Sequence, residues 1–307
     1  MSAGCVFVGS KTIGQRALAQ LADALDADLR GAVTFDDSAD GRSVLAEFRA
    51  TCAARAIPLT VLTAPGELAP ALQALAPHLV IVVGWYWLLS PALLRQVPGG
   101  VYGVHASLLP RYRGNAPLVW AILRGERETG VSLFRFDDGM DTGDLAAQAA
   151  FPIGPEETIA EVLAKAEDAT VAIVAEQARP LLEGTMTLRA QDHALASYCS
   201  LRQPCDGRID WRQPAPRLYN FIRAQTRPYP GAFTHLPDGR TVTIWAARLF
   251  PYPYYGIPGL VGQQEADGVV VACGDGALVV TDYTVEGEPT YAGKPPLRWG
   301  VRLEEPR

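Results

Sequence analysis

Short apolar runs alternate with helix-like hydrophobic spacing along the first two thirds of the chain. The run Cys5–Val8 is followed by helical spacing, and further runs predict strands at 31–35, 59–62, 78–84 and 131–136. The run His78–Gly84 is almost wholly apolar, which is typical of a strand buried on both faces of a parallel sheet. This alternation predicts an α/β fold with an open, mostly parallel, Rossmann-like sheet, whose ligands bind at the carboxyl ends of its strands.

The character of the chain changes after a last long helix. That helix is predicted to start at Thr158, where Glu161 is placed to complete its cap, and to end near Leu182. Residues 184–207 lack periodicity, and beyond Arg208 short β-like runs are separated by turn residues. We therefore predict a first domain at 1–183, a linker at 184–207 and a smaller β domain at 208–307.

Composition and charge exclude several classes of function. The 307 residues carry a formal net charge of −6, which argues against broad electrostatic binding of a nucleic acid. The longest apolar run, 79–89, is shorter than the roughly 18 residues of a membrane-spanning helix, and Met1–Gly4 lack the basic start of a signal peptide. We expect a soluble, cytoplasmic protein without membrane contact.

Common cofactor and metal motifs are missing from the sequence. No GxGxxG fingerprint follows the first strand and there is no P-loop, which argues against nicotinamide cofactors and nucleotide hydrolysis. The five cysteines form no CxxC pair and no metal-like cluster with the four histidines. Reduced thiols and the absence of a bound metal are therefore expected.

Two loops at the predicted sheet edge carry candidate chemistry. One strand ends at His105, and another ends at Phe136 just before the acidic loop 137–144. Taken alone, a histidine is more often structural than catalytic, and an acidic loop is an ordinary solvated turn. Because both strands end at the same edge of the sheet, the sequence predicts that His105 lies close to the carboxylates of this loop.

Short motifs in both halves of the chain keep the order and spacing of one family. They begin with His-Ala-Ser-Leu-Leu-Pro at 105–110 and continue at 112–114, 116–117, 128–131, 141–143, 209–211, 223–224, 228–233, 243–245 and 272–278. In these motifs the chain resembles the folate-dependent formyltransferases, which include methionyl-tRNA formyltransferase. It looks most like the sugar-nucleotide members that act on UDP-4-amino-4-deoxy-arabinose, over nearly its whole length.

The resemblance implies transfer of a formyl group from N10-formyltetrahydrofolate to a primary amine, without a metal. His105 and Asp141 match the residues that flank the reacting centre in this family. In such a reaction the amine must lose a proton, negative charge on the formyl oxygen must be stabilised, and the leaving folate nitrogen must be protonated. A histidine beside a carboxylate suits these proton transfers.

The same resemblance implies binding positions and the type of the second domain. The pterin of the folate is expected against Tyr86, Trp87, Leu88, Leu89, Asp137, Asp138, Gly139 and Met140, although the aromatic cluster 85–87 has a core or an interface as its alternative. Arg113 and Asn115 are candidates for substrate contact, and for Arg113 a salt bridge that holds its loop is the alternative. The carboxyl-terminal domain is expected to be an open β barrel of OB type.

One position departs from the family. Active members have Asn-x-His on the strand that ends at His105, and this chain has Gly103-Val104-His105. The loss of one oxyanion donor costs about 10²- to 10³-fold in rate. Three alternatives follow: a working but altered formyltransferase in which Asn115 or a water replaces the donor, transfer of a different acyl or one-carbon group or hydrolysis of the donor, or a folate- or amine-binding pseudoenzyme.

Charge bears on the choice of amine. The loop 35–42 is acidic, and the linker carries acidic residues beside its arginines, so neither segment supplies the positive charge that tRNA binding needs. A small amine is therefore favoured over methionyl-tRNA. The resemblance makes an amino sugar nucleotide the first candidate, other small amines stay open, and the patterns leave monomer and homodimer both open.

Overall fold

The computed structural model describes residues 4–40, 43–287 and 297–303. Residues 1–3 of the predicted first domain, positions 41–42 of the acidic loop, and residues 288–296 and 304–307 of the predicted β domain lie outside the described residues. The elements are β1 Cys5–Gly9, α1 Lys11–Leu25, β2 Leu29–Phe35, α2 Leu45–Ala54, β3 Leu59–Leu62, α3 Leu68–Leu75, β4 Leu79–Val83, α4 Pro91–Leu94, β5 Val101–His105, β6 Arg113–Gly114, α5 Pro117–Arg124, β7 Glu128–Arg135, β8 Leu145–Pro152, α6 Ile159–Leu182, β9 Tyr198–Cys199, α7 Ala215–Arg223, β10 Ala232–His235, β11 Thr241–Leu249, β12 Val261–Glu265, β13 Gly268–Ala272 and β14 Ala277–Val285.

Two compact units interleave along the chain. The first comprises Met1–Gly114, Thr129–Phe151 and Lys165–Cys199, and the second comprises Asn115–Glu128, Pro152–Ala164 and Ser200–Arg307. Within the described part of the first unit, the strands of a seven-stranded sheet run in the order β3-β2-β1-β4-β5-β7-β8. Strands β1 to β5 pair in parallel and β7 is antiparallel to β5, which confirms the predicted mostly parallel α/β sheet.

The carboxyl ends of the parallel strands, where the candidate site residues follow, lie at one edge of the sheet. Every residue of β1 and β4 is buried, as the continuous apolar runs predicted. The strand order reverses between β1 and β4, and such a reversal opens a crevice at the carboxyl ends of parallel strands. The segments that follow β4 and β5 therefore begin beside this crevice.

The second unit contains a separate antiparallel sheet. Its five described strands run in the order β10-β11-β14-β13-β12, which confirms a smaller carboxyl-terminal β structure. Helix α7 packs on β11, and its residues Leu218 and Ile222 share a core with Ile244 and Leu278 of the sheet. Helix α7 was not predicted from the sequence, because it is short and many turn residues surround its amphipathic face.

The predicted linker contains ordered structure. Leu145 and Arg189 exchange two main-chain hydrogen bonds of 2.8 and 2.9 Å, and β9 pairs in parallel with β6. Residues 184–199 thus pack within the first unit, although they lack hydrophobic periodicity. The division into functional domains at 183 and 208 stays a prediction. In the described part of the chain, no helix has the length and apolar character needed to cross a membrane.

Candidate active site

His105 is the last residue of β5 and is buried at the end of the strand. It pairs with Ser132 of β7. The Ser132 hydroxyl donates to the carbonyl of Ser107 at 2.6 Å and accepts from the amide of Leu109 at 3.0 Å. The turn after His105 is therefore fastened to the neighbouring strand. This anchoring fixes the main chain from which the imidazole projects.

The hydrogen bonds of His105 define its tautomer. Its Nε2 lies 2.7 Å from the carbonyl oxygen of Tyr112. A carbonyl oxygen only accepts, so Nε2 must carry a proton and donate. The other ring nitrogen, Nδ1, lies 3.6 Å from Oδ2 of Asp141, which is ion-pair range when the ring is charged and longer than a direct hydrogen bond. Nδ1 is therefore the nitrogen at which a proton can be gained or lost.

Asp141 is held by the main chain of β6. Its Oδ2 accepts from the amide of Gly114 in 2.7 Å. Asp141 has φ of 54° and Gly114 has φ of 95°, so both residues lie in the left-handed region. For Gly114 this conformation carries no steric cost, whereas a Cβ there would approach the Cys199 carbonyl to 2.5 Å. The structure thus brings His105 and Asp141 together as their strand ends predicted.

A cavity of about 680 Å³ opens beside this pair. His105 and Asp141 both line it, and so do the eight positions predicted for folate, namely Tyr86, Trp87, Leu88, Leu89, Asp137, Asp138, Gly139 and Met140. Trp85, Val104, Phe134 and Phe136 add apolar wall. Tyr86, Leu88 and Met140 line the cavity and are each more than half exposed, and exposed apolar side chains grouped at one cavity are typical of a binding surface. Folate binding by these residues remains a prediction that this arrangement favours.

The acidic loop is structured by its own side chains. Oδ1 of Asp137 accepts from the amide of Gly139 in 3.0 Å and from the hydroxyl of Thr142 in 2.6 Å. Asp138 is exposed and lies 3.7 Å from Arg95. The loop is therefore more than a solvated turn, since it presents main-chain groups to the cavity in a defined conformation.

Phe136 fills the space beside Gly103. An added Cβ at Gly103 would lie 2.3 Å from Cζ of Phe136 and 3.3 Å from the Val82 carbonyl oxygen. Gly103 itself is not among the residues that line the cavity. An aromatic side chain therefore occupies the space beside the glycine.

Arg113 and Asn115 differ in their surroundings. Arg113 is only 1% exposed, is not a lining residue of the cavity, and its guanidinium donates to Gln191, Tyr198 and His193. This placement favours a structural role over substrate contact, and the expected salt bridge is replaced by neutral acceptors. Asn115 is exposed and belongs to the second unit, so its contact with substrate stays a prediction.

Sequence reasoning missed Gln191, His193 and Tyr198. All three lie in the segment predicted as a linker, where the absence of periodicity hid them. Gln191 is 5% exposed, and its Nε2 donates to the carbonyls of Asp141 and Gly143 in 2.9 and 2.7 Å. The only available signal was a glutamine close to an acidic residue and a histidine, which carries little information by itself.

The indole of Trp85 carries a buried hydrogen-bond donor. Its Nε1 is buried without a hydrogen-bond partner in the part of the chain that the structure describes, and the side chain lines the cavity. A buried donor without an acceptor costs about 1–3 kcal/mol. Because Nε1 itself is buried, Trp85 offers the cavity the apolar surface of its ring.

Other chemistry is poorly supported at this edge. Burial raises the pKa of the Cys199 thiol of the first unit to about 11, so this thiol stays neutral at physiological pH. The described residues hold no group of three or more metal-ligating side chains. A histidine–carboxylate pair beside an apolar cavity is therefore the chemistry that the first unit offers.

The comparisons with known proteins agree with this class of site. The model of the formyl transferase family matches residues 6–177, and that of the formyl transferase carboxyl-terminal domain matches residues 202–298. These matches identify a transferase fold. The chain belongs to the formyl transferase family, whose one-carbon donor is N10-formyltetrahydrofolate.

Sequence relatives and solved structures carry different names. The methionyl-tRNA formyltransferase of Anaeromyxobacter dehalogenans is 42% identical over 231 residues, which cover 74% of this chain and 73% of that protein. An N-formyltransferase from Helicobacter canadensis, solved with folinic acid and dTDP-3-aminofucose, has a TM-score of 0.69 at 18% identity and covers 92% of this chain and 100% of that one. WlaRD, a sugar 3N-formyl transferase, has a TM-score of 0.66 at 16% identity and covers 94% and 100%.

Proposed function

We propose that this protein transfers a formyl group from N10-formyltetrahydrofolate to a primary amine of a small molecule in the cytoplasm. The observation that carries the proposal is the placement of His105 Nδ1 at 3.6 Å from Asp141, on the wall of a cavity lined by all eight predicted folate positions. An amino sugar nucleotide is the first candidate for the acceptor.

The chain's own residues account for the proton transfers. Nε2 of His105 is committed to the Tyr112 carbonyl, so Nδ1 takes the proton that the attacking amine loses. Oδ2 of Asp141 faces Nδ1 while it accepts from Gly114, and its negative charge stabilises the charged imidazole that results. The protonated ring then returns the proton to the leaving nitrogen.

The cavity walls hold the donor and exclude water. When bound, N10-formyltetrahydrofolate supplies the formyl group. Trp85, Leu88, Leu89 and Val104 offer apolar surface to its ring system, and the main chain of the loop that begins at Asp137 offers hydrogen-bond partners. Burial of the reacting centre strengthens the interaction between His105 and Asp141.

Position 103 contributes no hydrogen bond to the proposed reaction. Glycine lacks a side-chain donor, and the Phe136 ring occupies the adjoining space. Negative charge on the formyl oxygen is then stabilised by the charged form of His105, with a water as the second donor. This arrangement favours a working but altered formyltransferase over a pseudoenzyme, because the proton-transfer pair is complete.

Charge supports a small acceptor. Lys11 is engaged by Asp37 and Asp40, Arg189 donates to Gln148 in 2.6 Å, and Arg202 donates to Gln225 in 2.6 Å. The two carboxylates neutralise the charge of Lys11 within the chain, which leaves it poorly available to a polyphosphate backbone. The acidic loop and the linker therefore offer little positive charge for tRNA.

Methionyl-tRNA formylation is the second candidate. The observation in its favour is the name of the relative with 42% identity, which acts on methionyl-tRNA by that name. The sugar N-formyltransferase structures share the fold at 16–18% identity and do not by themselves decide the acceptor.

Binding and transfer should be measured on one preparation. Calorimetry with a stable analogue of N10-formyltetrahydrofolate is followed by mass spectrometry of amino sugar nucleotides, other small amines and methionyl-tRNA incubated with the true donor. We expect binding and a mass gain of one formyl group on a small amine. Formylation of methionyl-tRNA alone would contradict the small acceptor, and binding without any transfer would contradict formyl transfer.

A matched pair of variants tests the site. Asp141→Asn keeps an oxygen that accepts from Gly114 but removes the charge beside His105, so we expect kcat to fall by about 10²- to 10⁴-fold with folate binding retained. Asp144→Asn changes an exposed carboxylate of the same loop and should leave kcat unchanged. Equal activity of the two variants would contradict the role of Asp141.

A further inference from the structure

We propose that Gln191 and Arg113 form a positioning pair that holds His105 and Asp141 at their working separation. The proposal rests on the proposed function and adds residues from outside the cavity wall. Neither side chain lines the cavity, and each is at least nine-tenths buried. They act through the main chain of the two loops that hold the reacting pair.

The side-chain amide of Gln191 joins the two loops, and it can do so in one orientation only. Oε1 accepts from Arg113 Nη2 in 2.6 Å and from Nε in 3.3 Å, while Nε2 donates to the carbonyls of Asp141 and Gly143. A guanidinium only donates and a carbonyl oxygen only accepts, so the reversed amide would lose all four hydrogen bonds. The geometry therefore requires an amide here, with one acceptor end and one donor end.

Arg113 stands between the two main-chain groups that touch the reacting pair. The carbonyl of Tyr112 accepts from His105, and the amide of Gly114 donates to Asp141. The Arg113 amide donates to the Ser197 carbonyl in 2.8 Å, and β6 pairs with β9. Holding the Arg113 side chain thus holds residues 112–114, which contact both His105 and Asp141.

The buried guanidinium of Arg113 depends on its hydrogen-bond acceptors, which keeps Gln191 in place. Arg113 has neutral partners only, because Gln191, Tyr198 and His193 accept its hydrogen bonds and no described carboxylate lies within ion-pair distance. A buried cation without a counter-ion is tolerated only when its donors are well satisfied. A displacement of Gln191 would leave the cation short of acceptors, so the arrangement resists small shifts of the Asp141 loop.

The folate-lining half of the acidic loop has a separate support. Asp137 holds Gly139 and Thr142 through its own carboxylate. A change at Gln191 should therefore move Asp141 more than it moves residues 137–139. This difference separates an effect on the reaction from an effect on donor binding.

Two variants divide the role of Gln191. Gln191→Glu keeps an acceptor for Arg113 but cannot donate to the Asp141 and Gly143 carbonyls in its charged form, whereas Gln191→Met removes both functions. We expect kcat to fall by about 10²-fold in each, as for a small misplacement of reacting groups. The KM for the folate donor should change far less, and the pH profile of kcat should shift.

Gln15→Met is the matched control. Gln15 of α1 donates to the hydroxyl of Thr51 of α2 at 3.0 Å, so this hydrogen bond supports the same unit but not the residues that hold His105 or Asp141. We expect it to lower the urea midpoint without shifting the pH profile. If Gln191→Glu folds and behaves like Gln15→Met, or retains the wild-type kcat and pH profile, the positioning role is overturned.

A measurement without turnover separates this proposal from the proposed function. The chain has four histidines, so the ¹⁵N signals of their rings can be assigned with His105→Gln as reference. We expect Gln191→Glu to move the His105 ring signals and Gln15→Met to leave them in place. Unmoved signals would overturn the positioning role even if wild type proves inactive, and an inactive wild type with moved signals would overturn only the proposed function.

Discussion

The Phe136 ring occupies the volume that a side chain at position 103 would need. Any side chain at position 103 begins with a Cβ, and that atom would lie 2.3 Å from the Phe136 ring. Interiors are close-packed, so an added group forces neighbouring atoms to move. The absence of an asparagine on this strand is therefore coupled to a second residue, and the two positions have to be changed together.

A double-mutant cycle checks this coupling. Gly103→Asn alone should lower the free energy of unfolding by about 1–3 kcal/mol through overpacking. In the presence of Phe136→Ala the same change should cost less, because the ring is gone, with a coupling energy of about 0.5–3 kcal/mol. Urea unfolding of the wild type, both single variants and the double variant measures it.

Gly66→Asn is the control for this cycle. Gly66 has no atom within 4 Å of an added Cβ, so the substitution should be nearly neutral in either background. Additive effects of Gly103→Asn and Phe136→Ala would contradict the shared volume. A gain of formyl transfer in the double variant alone would show that the ring, together with the glycine, limits that chemistry.

The start of α6 shows how a local motif fixes an element. The Thr158 hydroxyl accepts from the amide of Ala160 in 3.2 Å, and Glu161 Oε2 accepts from the amide of Thr158 in 2.9 Å. Thr158 and Glu161 thus cap the helix as the sequence predicted, with Thr158 accepting from the amide of Ala160 and Glu161 accepting from the amide of Thr158. Prediction succeeded here because every partner lies within four residues.

Thr158→Ala tests the cap. We expect it to lower the free energy of unfolding by roughly 0.5–2 kcal/mol at pH 7. The hydrogen bond from the Thr158 hydroxyl lowers the pKa of Glu161 below its usual 4.5. A lowered folded-state pKa gives stability that is present above pH 4.5 and is lost as pH falls through the lowered value. The cost of the variant should therefore shrink between pH 7 and pH 3.

Thr185→Ala is the control at the other end of α6. Its hydroxyl donates to the Pro180 carbonyl in 3.3 Å and has no carboxylate partner among the described residues. Its effect on urea unfolding should be the same at both pH values. A cost of Thr158→Ala that does not change with pH would contradict the contribution of Glu161.

Charge distribution acts at the scale of the whole molecule. The net charge is −6, Lys11 is ion-paired with Asp37 and Asp40 of the acidic loop, and Arg189 and Arg202 of the predicted linker donate to glutamine side chains. Lysines and arginines that neutralise phosphates release counter-ions, which makes nucleic-acid binding strongly dependent on salt. A small acceptor with one or two phosphates lacks this dependence.

Salt dependence therefore discriminates the acceptors. We expect kcat/KM for the small amine to change less than about threefold between about 50 and 200 mM salt, whereas a protein with 6–10 phosphate contacts loses about 10³–10⁵ in affinity. Unfractionated tRNA should not inhibit the reaction. Steep salt dependence together with inhibition by tRNA would contradict the small acceptor and support methionyl-tRNA.

Prediction from sequence worked where the signal is local or repetitive. The strand at 59–62 has the predicted bounds, because it is a short apolar run with clear ends. Strand β8 was missed, since its alanine-rich sequence has little intrinsic β preference and is a strand because it pairs at the edge of the sheet. Elements that form because of a distant partner give only a weak signal in the local sequence.

The alternation of strands and helices, the motifs around His105 and Asp141, and the net charge can be read from the order of the residues. These features depend on neighbouring residues or on sums over the chain. The packing of Phe136 beside Gly103, the burial of Arg113 and the hydrogen bonds by which Gln191 joins two loops are visible in the folded protein alone. The physical reason is that packing and hydrogen bonding between residues 33 to 78 positions apart depend on distances that no local pattern encodes.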